Sequence, residues 1–267
     1  MKGEKEAKVG NAEKNMEPTL IPGKRGSFPV QVQASHDNEN MYMRFSWADS
    51  EHTPAPFVDG GKMDPNNKIK LAIMFASDDV EYADRAGCWG TCHADLRSMP
   101  MAPDKGAIAA SPAASLNSAD GITKYIAESR TEINLKTRKG ALGGWDKLKD
   151  EGEIKASLDA GHFMDIMRYK IGEKVAENGH VLADRAVNDG GAGVEFNAVL
   201  NNGTWTVEMT HKLKADNPGD ISLDTGSVYN FGFAIHDDFT NARYHHVSLG
   251  YKLGFDNADA EINAIKK

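Results

Sequence analysis

Cys88-Trp89-Gly90-Thr91-Cys92-His93 gathers the most reactive side chains of the chain into six residues. Two thiols followed at once by an imidazole read as the C-x-x-C-H attachment motif of a c-type haem. There each thiol forms a thioether with a haem vinyl group and the His binds the iron. The spacing departs from the motif in one respect: Trp89, Gly90 and Thr91 put three residues between the cysteines where the motif has two. No other cysteine exists in the chain, so no other thiol competes for the role. Other chemistries fit less well. A thioredoxin-like redox pair sits in a βαβ pattern, which the surrounding sequence lacks. A zinc site needs further Cys or His ligands at suitable spacing. A plain disulfide leaves His93 without a role.

The elements that must position this stretch are strands. From Ser27 the pattern has period two. Val30, Val32, Ala34 and His36 share one face; after the turn cluster Asp37-Asn38-Glu39-Asn40, Met41, Met43, Phe45 and Trp47 share another. This predicts a β-hairpin with one buried face. Residues 49–67 carry three prolines and two glycines and read as loop. Lys68–Ala76 is apolar enough for a central strand, and Cys88 follows in the loop beyond it. Residues 103–158 read as an inserted region of loops and short helices, one of them over Trp145–Leu158. Strand patterns return at Phe163–Lys170, Val194–Leu200, Thr204–Leu213, Val228–His236 and Tyr244–Phe255. Asn201-Asn202-Gly203 marks a tight hairpin. In the last strand His245, Val247, Leu249, Tyr251, Leu253 and Phe255 share the apolar face, and a short polar tail follows. Eight to ten strands predict a mainly β fold, an antiparallel β-sandwich. Residues 1–18 read as a flexible lead-in and 19–267 as one domain.

Composition limits the function. The 267 residues are 40% hydrophobic and 26% charged, with a net charge of −8. An acidic chain argues against sequence-independent nucleic-acid binding, which needs a basic face, and suits docking to a basic redox partner. No apolar run is long enough for a membrane-spanning helix, and the polar N-terminus is no secretory signal. Haem is attached to such motifs outside the bacterial cytoplasmic membrane, so the expected location is the periplasm, with a leader or anchor missing from this chain.

A low-spin electron-transfer haem needs a second axial ligand. The candidates are His36, His211, His245 and His246, with Met99 and Met101. The two methionines follow His93 too closely to reach the far side of the macrocycle easily. His245 lies on the apolar face of its strand, and His246 takes its place if the register slips by one. His36 ends its strand on the apolar side. His211 reads as a satisfied core or edge histidine. His52, His162, His180 and His236 fall in or near loops and read as surface residues. Arg97 lies nearest the motif among the arginines that could pair with a haem propionate, the others being Arg44, Arg168 and Arg243. No nucleophile triad, P-loop or zinc-protease motif supports an enzyme.

Six stretches resemble the haem-binding subunit family of ethylbenzene dehydrogenase and dimethylsulfide dehydrogenase. This is the cytochrome c-552/DMSO reductase-like haem-binding domain. They are ASHDNENMYMRFSWAD (34–49), LAIMFA (71–76), MDIMRYK (164–170), NNGTWTVEMTHKL (201–213), VYNFGFAIHDD (228–238) and YHHVSLGYKLGF (244–255), in the family's order. The resemblance implies a β-sandwich that holds one haem and passes single electrons. In the molybdenum-enzyme subunits that haem is b-type, with Met and Lys as axial ligands. Here the loop that supplies Met carries the Cys88–His93 motif, and the position that supplies Lys falls near Tyr244-His245-His246. The resemblance therefore implies covalent haem c with His93 and His245 on the iron. The chain looks more like the branch fused behind NapC/NirT-type membrane-anchored cytochromes. The implied role is an electron carrier, not an enzyme, between a membrane quinol-linked cytochrome and a terminal reductase or dehydrogenase. The competing reading is a haem-based sensor with an open or displaceable sixth position.

Overall fold

The computed structural model describes residues 27–50, 64, 66–77, 79–80, 83, 151–181, 185–188, 193–217, 219–239 and 245–267. Within them the chain is mainly β. Twelve strands run β1 (Gln31–His36), β2 (Asn40–Ala48), β3 (Lys70–Ala76), β4 (Met164–Lys170), β5 (Val175–Val181), β6 (Arg185–Asn188), β7 (Val194–Asn201), β8 (Thr204–Lys212), β9 (Val228–His236), β10 (His246–Val247), β11 (Tyr251–Phe255) and β12 (Ile262–Lys266). One helix, α1 (Glu151–Asp159), precedes β4. No helix among the described residues is long and apolar enough to cross a membrane.

The strands follow one another in the order β6-β5-β4-β3-β9-β11-β12-β1-β2-β8-β7, with β10 also paired to β9. This single curled sheet folds over itself as a sandwich. Its two ends approach where Tyr169 of β4 stacks on Phe196 of β7, 5.1 Å apart and 7° from parallel. The interior is aromatic. Phe45 of β2 meets Phe233 of β9 edge-on at 5.5 Å, and Phe75 of β3 lies 5.5 Å from Phe231. Each such ring removed from water contributes about 1.5–3 kcal/mol, and aromatic pairs prefer these tilted geometries.

The predicted hairpin is present: Met41, Met43, Phe45 and Trp47 are all buried, and β1 pairs β2 from Gln31↔Ser46 to His36↔Met41. Asn202 and Gly203 both take positive φ in the β7–β8 turn, which a two-residue primed turn demands.

Three features differ from the sequence reading. The short polar tail is strand β12, which pairs in parallel with both β1 and β11. It joins the two halves of the sandwich, so the sheet is not purely antiparallel. Its polar positions hid it, since only Ala264 of the strand is fully buried. Strands β5 and β6 were not foreseen, because Glu177-Asn178-Gly179-His180 breaks the alternation. The single strand expected over Tyr244–Phe255 is two strands separated by a bulge, with consequences for the site. Most of the expected 103–158 insertion lies outside the described residues; its end is α1, with Leu158 packed on the core.

Candidate functional site

Cys88, Cys92, His93 and Arg97 lie outside the described residues, as do Met99, Met101, His52 and Arg243. The other candidate ligands are placed, and the structure separates them.

His36 sits at the end of β1 and is 2% exposed. Its Nδ1 lies 3.1 Å from the Asp37 carbonyl oxygen and its Nε2 3.0 Å from Asp256 Oδ2. The ring meets Phe255 edge-on at 5.4 Å. Both nitrogens lie against protein oxygens, so neither is directed at a metal. Asp256 is in turn held below the usual carboxylate range, first by the Lys266 N–H and then by His36. His211 is inside the sandwich, 3% exposed, with its ring 6.2 Å from Phe75. Burial pushes it down to about 4, so it is neutral at physiological pH. It is a core histidine as expected, and among the described residues its Nδ1 has no hydrogen-bond partner.

His245 and His246 are set by the bulge. Val247 stands opposite Ala234, yet Tyr251 stands opposite Phe231, so four steps on one strand face three on the other. Such an insertion flips the side chains beyond it to the opposite face. Ser248 makes the bulge possible. Its N–H bonds the Phe233 carbonyl at 2.8 Å, and its hydroxyl oxygen accepts the Phe233 N–H at 2.9 Å in place of a backbone carbonyl. Leu253 and Phe255 face the core, while Val247 and Leu249 are exposed. The shared apolar face predicted from His245 to Phe255 is therefore broken in the middle.

In β9, Phe231, Phe233 and Ile235 belong to the core. Asn230, Gly232, Ala234 and His236 take the opposite, outward face. His245 joins that face: its ring stacks on His236 at 4.8 Å and 27°. His246 stands opposite Ile235 and meets Phe28 edge-on at 4.7 Å. His236, read from the sequence as a surface residue, thus belongs beside His245. The alternation of β9 held that signal, because every second residue opposite the phenylalanines is small until His236.

This outward face is no ordinary solvated face. β9 is buried on both sides between its end residues. Beside it β3 presents Ala72, Met74 and Ala76, and β4 presents Met164 and Ile166. Met74, Ala76, Met164 and Ala234 are each at most 5% exposed. Ala72, Gly232 and Ala234 are neighbours in register; small side chains together make a flat platform on which a planar group can lie. The chain beyond β3 turns onto the same face: Val80 and Ala83 pack against Met74, Ala76, Met164 and Ile166.

The rim of the face next to the histidines is charged but internally paired. Lys70, opposite His236 on β3, is 3% exposed and bonds Asp64 at 2.7 Å. Burial lowers its ammonium against the pull of Asp64. Burial raises Asp64, but its bonds from Lys70 and Asn67 outweigh that and leave it low. Arg168, one of the arginines considered for a propionate, is bound by Glu177. Among the described residues no group of three or more His, Cys, Asp or Glu side chains is placed to hold a metal ion.

The donors fit a haem c in kind: two thiols and an imidazole in the sequence, and a second imidazole on a flat apolar face. The chain is similar to known proteins. The chain is 36% identical over 255 residues to a protein named cytochrome c-552 from Stutzerimonas stutzeri, covering 95% of this chain and 70% of that one. It is 28% identical over 242 residues to one named cytochrome c-551 from Rhodocyclus tenuis, covering 90% and 70%. Among solved structures, a family 9 carbohydrate binding module from Caldicellulosiruptor kristjanssonii in complex with glucose aligns over 92% of this chain and 78% of that one. Its 10% identity and TM-score of 0.33 carry no weight. The family model described as ethylbenzene dehydrogenase matches residues 5–248, and the chain belongs to that family.

Proposed function

We propose that this protein is a c-type cytochrome that carries single electrons and is not itself an enzyme. Cys88 and Cys92 would hold one haem covalently, and His93 and His245 would bind its iron. The observation that carries the reading is the outward face of β3 and β9, which is apolar, flat, and ends in His245. Ala83 packs on that face and Cys88 follows five residues later, a reach of up to roughly 17 Å. Met74 and Lys70, the row of His236, are four residues apart on β3, about 13 Å along a strand. The chain is therefore long enough to bring the thiols beside His245. The relatives named cytochrome c-552 and c-551 support the same cofactor.

Bound there, the haem supplies one-electron chemistry at its iron. The residues of the chain bind it, orient it and exclude water from it. Ala72, Gly232 and Ala234 would leave room for a planar group, and Met74 and Ile166 would give it an apolar surround. His245 would supply one imidazole nitrogen to the iron. Arg97 pairs with a propionate. The partners are redox proteins, a membrane quinol-linked cytochrome on one side and a terminal reductase or dehydrogenase on the other, in the periplasm.

A pyridine haemochrome of the purified holoprotein tests the attachment. The expected band is that of a haem with both vinyl groups saturated. A band for one free vinyl would mean that the extra residue between Cys88 and Cys92 leaves one thiol unbonded, and a b-type band would end the covalent reading. Optical spectra of His245→Ala test the ligand, with a high-spin ferrous form that binds carbon monoxide as the expected result. Ready carbon monoxide binding by the unaltered protein would favour the sensor reading instead.

A further inference from the structure

We propose that His236 is a positioning residue for the His245 imidazole, fixing the plane of that ring where it meets the iron; this rests on the reading of His245 as the axial ligand. His245 lies one residue outside β10, and no regular ladder pairing constrains it. A histidine bound through one nitrogen can still rotate about that bond. The neighbours of a metal ligand restrict this freedom, and that restriction tunes the metal. The neighbour here is an aromatic face. The His236 ring lies 4.8 Å from His245, 27° from parallel. His236 is itself well fixed. It ends β9, whose backbone is laddered to β3 up to the pair Lys70↔His236. Lys70 is buried and tied to Asp64. Lys70, His236 and His245 thus form a row across three adjacent strands, rigid at one end and bearing the ligand at the other. An imidazole stacked on one side cannot turn edge-on to that neighbour without losing the contact. Stacking of two π-systems favours one orientation of the ring over others.

The test uses the holoprotein with His236→Ala, His236→Phe and His245→Ala. The readouts are the ferric electron paramagnetic resonance spectrum and the rate of carbon monoxide binding to the ferrous form. Circular dichroism checks that each variant keeps its sheet. His236→Ala should shift and broaden the largest g value and speed carbon monoxide binding roughly tenfold, the low end for loss of a ligand's orienting neighbour. His236→Phe, which keeps an aromatic face, should restore both readouts to near the unaltered values. If His236→Ala leaves the g values unchanged while His245→Ala turns high-spin, His236 does not position the ligand and only this proposal falls. If His245→Ala stays low-spin, the ligand assignment falls and takes this proposal with it. If His236→Ala alone turns high-spin, His236 binds the iron itself and both are overturned. Should His236→Ala fail to fold, His236→Leu replaces it, since it keeps bulk without an aromatic face.

Discussion

His36 and His245 both close or border a strand among apolar neighbours, and nothing in their local sequence ranks one above the other as a ligand. The sandwich puts them at opposite ends. His36 lies with Met41 and His211 at the end where β3 finishes, and each of its nitrogens lies against a protein oxygen. His245 lies at the end where β3 begins, on the outward face, stacked on a second imidazole. A histidine inside a close-packed core is either bonded or neutralised by burial, as His36 and His211 show, and then it serves packing. A histidine on a flat outer face beside small residues is placed to meet a planar group. The contrast teaches that facing an apolar side is not enough; which apolar side decides.

Four variants would break or sharpen this contrast. The largest expected effect is from His36→Ala, which should cost about 3 kcal/mol by opening a cavity beside Phe255 and stranding its hydrogen-bond partners. Denaturant melts should show that loss while the haem spectrum stays low-spin; a high-spin spectrum would return His36 to the iron. His211 comes next. Its folded pKa of about 4 lies below the unfolded value of about 6.5. Its contribution to stability is therefore full above pH 6.5 and is lost as the pH falls toward 4, by up to about 3 kcal/mol. His211→Phe should flatten the melting temperature over that window, and a slope unaltered by the substitution would show that His211 is not the group responsible.

Ala234→Leu probes the outward face. Adding bulk to the platform should cost about 2 kcal/mol through overpacking and lower the haem-to-protein ratio of the purified protein. An unchanged ratio would place the haem elsewhere. The smallest effect is expected at Asp165, which is fully buried inside the sandwich and accepts the Ile221 N–H at 2.9 Å. Burial drives its pKa well up, offset only in part by that hydrogen bond. A raised folded pKa means its contribution is full below about pH 3.8 and is lost as the pH rises. Asp165→Asn should thus stabilise the protein at pH 7 by about 1 kcal/mol and give no advantage near pH 3.5. A loss at pH 7 would show that the carboxylate is wanted there.

The sequence was sufficient where the pattern is local. Met41 to Trp47, Val228 to His236 and Asn201-Asn202-Gly203 each carry their own period or turn chemistry, so the strands and the tight hairpin could be read from single residues. The β12 strand could not, because it earns its place by pairing in parallel with two strands far away in the chain. The bulge at Ser248 could not either. Alternation from His245 to Phe255 looks unbroken in the sequence, and only the competing pairings of Val247 with Ala234 and Tyr251 with Phe231 show where the extra residue goes.

The same division holds for the site. Residue types alone determined the chemistry: two thiols and an imidazole in one short stretch specify what they can bond wherever they lie, because reactivity belongs to the side chain. Tertiary structure decided where each distant histidine stands. What a ring nitrogen meets and which face of a sheet the ring takes depend on contacts that no local pattern shows: Asp256, 220 positions away, for His36, and His236 at the end of a neighbouring strand for His245.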